Sequence, residues 1–127
     1  RADARATYST PHPPPGPFAA VVAIAGTATT YAAIDLELAD YASAPPHGHQ
    51  LRLGTLDAIV ERLGALPLVE RRGITGLEPK RADVIVAGGV VLVEAARALG
   101  AESLVISDRG VRWGLAAELL EPGQPTG

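Results

Sequence analysis

Apolar positions fall in short separate runs along this chain, and their period changes from run to run. The run Val21 to Ala25 breaks at Gly26 into Thr27-Ala28-Thr29-Thr30. That pattern predicts a strand, apolar on both faces as an internal strand is, turning through glycine into a helix capped by Thr27 or Thr29. Tyr31, Ala32, Ile34, Leu36 and Leu38 carry the helix onward. A loop follows at Ala44-Pro45-Pro46-His47-Gly48-His49, and Leu51-Arg52-Leu53 then alternates as an edge strand or extended lead. Thr55 is a cap candidate with Asp57 in the first turn. Leu56, Ile59, Val60, Leu63 and Leu66 form one helical stripe behind it. Pro67 ends that helix or opens the next, a short one over Leu68 to Arg72.

From Pro79 to Leu99 the composition predicts one long helix, with Gly100 in the position of a terminating glycine. Because Val84 to Val93 is apolar nearly all round, this helix should lie buried between layers. Gly88-Gly89 weakens it by roughly 1 kcal/mol per glycine, so a neighbouring element should press closely there, as in close helix–sheet packing. Ser103 to Ile106 reads as a second core strand, and Val111 to Glu121 as an amphipathic helix burying Leu115, Leu119 and Leu120. Two core strands separated by helices make an α/β protein. A Pro-rich flexible lead occupies residues 1–18, one domain residues 19–121, and a flexible tail residues 122–127.

Composition narrows the function. With 127 residues the chain is one domain, and 47% of them are hydrophobic, mostly Ala, Val and Leu. A net charge of −3 without a basic run argues against nucleic acid. The chain has no cysteine, which excludes disulfides, thiolate zinc sites and a cysteine nucleophile. No apolar run approaches the roughly 18 residues of a membrane span, and no signal-peptide pattern opens the chain, so a cytoplasmic protein is expected. A start at Arg1 and the complete lack of Met point to a piece of a longer protein.

Two places can carry chemistry. The Gly26, Thr27, Thr29 and Thr30 turn offers hydroxyls and backbone N–H groups after a core strand, where open α/β sheets bind ligands and helix starts favour anions. An ordinary capped helix start explains the same residues. The second place is Ser107-Asp108-Arg109-Gly110. Asp108 could hold a metal-bound water and Arg109 a phosphate oxygen, or Ser107 and Asp108 could simply cap the last helix. His47 and His49 form an HxH pattern without a nearby third ligand and read as solvated loop residues. Glu70, Arg71 and Arg72 read as a solvated helix face.

Four blocks in order, VAIAGTATTYAAIDLEL, PHGHQLRL, LEPKRADVIVAGGVVLVEAARALG and SLVISDRGVRWGLAAELL, resemble the exopolyphosphatase and guanosine pentaphosphate phosphatase (Ppx/GppA) family. The resemblance runs from about Val21 to Glu121. It implies a partial ribonuclease-H-like domain of the actin, sugar-kinase and heat-shock ATPase superfold, with helices around a small sheet, taken from the later part of the family's second domain. It also implies hydrolysis of the terminal phosphoanhydride of polyphosphate or guanosine pentaphosphate, by water with Mg²⁺. Gly26, Thr27, Thr29 and Thr30 would then lie near bound phosphate or nucleotide, with Asp108 and Arg109 on the cleft side.

The family's first-domain aspartate loop, its catalytic glutamate and its DIGGGS-like loop have no counterpart in this sequence. No catalytic residue is therefore expected here, and the first domain becomes a partner supplied by the longer protein. Two other readings remain open: a polyphosphate- or nucleotide-sensing module without turnover, and a homodimer formed through the Val84 to Val93 helix.

Overall fold

The structure is a computed structural model describing residue 3 and residues 16–42 and 44–120. Most of the Pro-rich lead, and the tail with Glu121, lie outside the described residues. Three strands form one mixed sheet in the order β1-β3-β2: β1 is Val22–Ile24, β2 is Gln50–Arg52 and β3 is Ser103–Ser107. β3 is central, parallel to β1 and antiparallel to β2. The register places Ala23 beside Ile106 and Leu51 beside Leu104, and all four are buried on one face.

The opposite face is open. Val22 and Ile24 are 55% and 47% exposed, so β1 is an edge strand in this chain rather than an internal one. Its apolar pattern is genuine, but no further strand or layer among the described residues covers it.

Helix α1, Ala25–Asp35, lies on the buried face of the sheet. It starts three residues earlier than a Thr27 cap requires, and five earlier than a Thr29 cap requires. Ile24 is extended, and Ala25 takes a φ of 72°, so the sharp bend falls on alanine, not on Gly26. The helix also stops before Leu38. Glu37 adopts a left-handed φ of 50°, and the Leu38 N–H turns back to the Ala33 carbonyl.

Helix α2, Leu53–Ala65, buries Leu56, Ile59, Val60 and Leu63, the stripe its spacing predicts. Thr55 does not cap it. Extended Arg52 precedes the first turn, and the Leu53 N–H is taken by the Glu102 carbonyl. Asp57 is drawn to Arg97 instead, at 2.6 Å. Leu68–Arg71 forms the short helix α3.

The long helix expected from Pro79 is two pieces. Pro79–Arg81 is a 3-10 turn, residues 82–84 bend, and α4 runs only over Ile85–Ala98. Nor is α4 enclosed between layers. It packs on α1 and α2, while Val91 stays exposed on its outer side, as does Val84 just before its first turn. Gly88 and Gly89 are pressed by α1, so the close approach is helix on helix and not helix on sheet. A Cβ at Gly88 would meet Thr27 Oγ1 at 2.9 Å, and one at Gly89 would overlap the Tyr31 hydroxyl.

Helix α5, Val111–Leu120, buries nothing. Leu115, Leu119 and Leu120 are all exposed, Leu119 at 73%, because no described element lies against them. The apolar spacing marks a face that needs cover without containing that cover.

Candidate functional site

The site is built at the carboxyl ends of β1 and β3, where α1 begins. No side chain caps α1 and no acid sits in its first turn. The first N–H groups of a helix have no intrahelical acceptor, and together they carry a partial positive charge. A second positive group lies against this end. The Arg81 guanidinium packs onto Gly26 so closely that a Cβ there would overlap it. Arg81 is steadied by Glu78, with Nε donating to Oε2 at 3.2 Å, yet both side chains remain substantially exposed. Gly26 is therefore needed for room, not for a turn.

The threonines are placed differently from one another. Thr30 Oγ1 donates to the Gly26 carbonyl at 2.6 Å. Thr29 Oγ1 lies 3.3 Å from the carbonyls of both Ala25 and Gly26. Both hydroxyls thus spend their protons on their own helix, which leaves oxygen lone pairs, not donors, on the outer side. Thr27 is wedged against Gly88.

Two hollows adjoin α1, one along its middle and far end and one at its head. One, of about 570 Å³, is lined by Thr29, Thr30, Tyr41, Gly76, Pro79 and Arg81 among others. The other, of about 660 Å³, is bounded by Ile24, Ala25, Asp108, Arg112 and Trp113. The fold thus brings Ala25 and Asp108 to one hollow and keeps Thr29 and Thr30 in the other. Arg109 faces neither; its guanidinium stacks over the Trp113 ring, 5.2 Å from the centroid. Ser107 Oγ accepts from the Arg109 N–H and so closes a local turn ahead of α5.

The two histidines are not merely solvated. His49 Nε2 lies 2.7 Å from Asp35 Oδ2 at the end of α1, and His47 Nδ1 lies 2.9 Å from Asp108 Oδ1. Arg71 also departs from its expected solvated face. Its Nε donates to the Leu63 carbonyl, Nη1 to Ala82 and Nη2 to Leu66, all between 2.8 and 3.0 Å. That fork ties the end of α2 to the turn before α4. Beside it, burial pushes the Tyr31 hydroxyl up to about 12, partly opposed by the Arg71 charge.

The Mg²⁺ implied by the resemblance finds no cage here. Among the described residues no group of three or more His, Asp or Glu side chains could hold a metal ion. Asp108 faces a histidine rather than a second acid. These residues do not fit a Mg²⁺ site by themselves, and no chemical step is assigned to a metal. Among the described residues, no helix is long and apolar enough to cross a membrane.

Sequence reasoning missed Arg81 and Arg71. Only the run Pro79-Lys80-Arg81, charged and following a proline, marked the first of them.

The sequence and fold of this chain are similar to those of known proteins. The model of the Ppx/GppA phosphatase family covers residues 14–122. Exopolyphosphatase 2 of Mycobacterium tuberculosis is 31% identical over 102 residues, which is 77% of this chain and 32% of that protein. The crystal structure of the type II variant of the Aquifex aeolicus Ppx/GppA phosphatase superposes with a TM-score of 0.78 at 25% identity, over 91% of this chain and 38% of that one. A second Aquifex aeolicus PPX-GPPA structure gives 0.69 at 31% identity, over 80% of this chain and 34% of that one. The chain spans about a third of the length of these relatives. Its three-stranded mixed sheet with surrounding helices corresponds to part of their fold, and the chain belongs to the Ppx/GppA phosphatase family.

Proposed function

We propose that this chain is the polyanion-holding portion of a phosphoanhydride hydrolase that releases terminal phosphate from polyphosphate or guanosine pentaphosphate. It would form the later part of a ribonuclease-H-like second domain in a cytoplasmic enzyme. The observation that carries this reading is the pairing of Arg81 with the uncapped head of α1 at Gly26. Two positive ends are held together beside the exposed Glu78, an arrangement that favours a multiply charged anion.

In the proposed reaction the oxygen of a water attacks the terminal phosphorus in line as the bridging P–O bond breaks. The electron pair leaves with the shortened chain, and the water proton passes to a carboxylate of the first domain. Mg²⁺ belongs to groups outside the described residues. The α1 amides and Arg81 hold the polyanion in register, a contribution of orientation and charge.

The test is phosphate release by the full-length protein from each of the two polyanions with Mg²⁺ present. Release from either supports the reading. Tight binding without release returns the protein to a sensing module, and neither binding nor release removes the site.

A further inference from the structure

We propose that Arg71 is the positioning residue for Arg81, holding in place the backbone that carries the Arg81 guanidinium to the head of α1; the inference rests on the anion site proposed above. Between α2 and α4 the chain makes a connection from Leu66 to Val84, interrupted only by α3 and the 3-10 turn Pro79–Arg81. Arg71, the last residue of α3, lies inside that connection and grips both of its ends. Nε and Nη2 donate to the Leu63 and Leu66 carbonyls where α2 stops, and Nη1 donates to the Ala82 carbonyl, one residue beyond Arg81.

A second anchor sits midway. Gly76 has a φ of 85°, and a Cβ there would lie 2.5 Å from the Ala33 carbonyl, so the connection rests directly on the α1 backbone. Past that anchor, Leu77, Glu78, Pro79 and Arg81 form the wall of the larger hollow that faces Thr29 and Thr30.

The remaining bonds of this wall are local. The Arg81 N–H to the Glu78 carbonyl, at 2.9 Å, and the Ala82 N–H to the Pro79 carbonyl, at 3.3 Å, close the turn on itself. The Val84 N–H takes the Arg81 carbonyl and joins it only to the start of α4. The Glu78–Arg81 ion pair is exposed on both sides, and such pairs hold geometry weakly. Burial of the Ala82 methyl fixes where the chain passes, and the Arg71 guanidinium fixes how its peptide is turned. Arg71 thereby refers the turn under Arg81 to the end of α2.

The experiment titrates the full-length protein with pyrophosphate by calorimetry. Arg71→Lys keeps the charge but cannot reproduce the planar fork. Its Kd should rise about fivefold at unchanged stoichiometry, whereas unfolding would lower the stoichiometry instead. Added to Arg81→Gln, it should weaken binding no further, because Arg71 acts through Arg81. Ile59→Val removes one methylene from the buried stripe of α2 and is the stability control; it should bind as wild type does. Where Arg81→Gln weakens binding, three results overturn the inference: wild-type affinity in Arg71→Lys, multiplying losses in the double variant, or an equal loss in Ile59→Val.

Hydrogen exchange reads the hold without a ligand. The amides of Arg81, Ala82 and Val84 should exchange about tenfold faster in Arg71→Lys but not in Ile59→Val. Unchanged exchange in Arg71→Lys overturns the proposal. Unchanged pyrophosphate affinity in Arg81→Gln refutes the anion site alone, and exchange still decides the role of Arg71.

Discussion

The Tyr31 hydroxyl occupies the space that a side chain at Gly89 would need, and from there it donates to the Ile85 carbonyl at 3.0 Å. Tyr31 is fully buried, so neither the ring nor its proton has another place to go. Gly89→Ala should therefore cost about 2 kcal/mol through overpacking and loss of that bond. Gly54, inside α2 with open space around it, is the control. Gly54→Ala should stabilise by about 0.5 kcal/mol through reduced chain entropy. Urea midpoints of the two variants should move in opposite directions.

Alkaline stability should report the same tyrosine. Its hydroxyl titrates near 10.0 when unfolded and at about 12 when folded, chiefly because burial disfavours the phenolate. The raised value means that stability is intact below pH 10 and is lost as pH rises from there through 12. The loss is on the order of 2–3 kcal/mol. Tyr31→Phe should start less stable and show a shallower decline across that window. Unfolding midpoints between pH 9 and 12 provide the check, and equal slopes would refute the assignment.

Arg71 makes a comparably specific prediction. Three carbonyls converge on one planar guanidinium, a fork that an ammonium cannot reproduce. Arg71→Ala should cost about 2 kcal/mol, and Arg71→Lys should recover less than half of it. Denaturant titration distinguishes this from a solvated arginine, whose removal would be nearly silent.

Gly26 and Arg81 should behave as one site for anions. Gly26→Ala would displace the guanidinium, and Arg81→Gln would remove its charge. Each should weaken pyrophosphate binding by the full-length protein about tenfold, the worth of one charge-assisted contact. The double variant should bind no more weakly than either single one. Isothermal titration at fixed salt measures this; unchanged affinity in Arg81→Gln would remove arginine from the site.

Local pattern accounts for much of this fold. The stripe Leu56, Ile59, Val60 and Leu63 and the strand around Leu104 and Ile106 obey simple periods, and both stand where those periods place them. The Gly88-Gly89 pair correctly signalled a close neighbour but could not say which. The Tyr31 and Thr27 that fill those notches lie more than 50 residues earlier in the chain. Arg71 was illegible for the same reason: its acceptors Leu63, Leu66 and Ala82 are spread over two elements, while Glu-Arg-Arg looks like any charged helix end. The bend at Ala25 was misassigned to Gly26 because a glycine ordinarily takes positive φ, whereas here it makes room for a distant guanidinium. At the candidate site, the helix start was readable from Val21 to Thr30, and Arg81 was not. The exposed leucines of α5 follow the same rule, since periodicity names a face and tertiary structure names its partner.

Thr27 and Tyr31 seat in adjacent notches of α4 like two teeth in a rack. One turn away along α4 the notches give way to Val84 and Ile85 or to Leu92 and Val93, so α1 cannot ratchet past its neighbour. The two notches therefore fix the sliding register of α1 against α4, and at the far end of α4 Arg97 grips Asp57 and Glu94 together, which ties α4 to α2 as well.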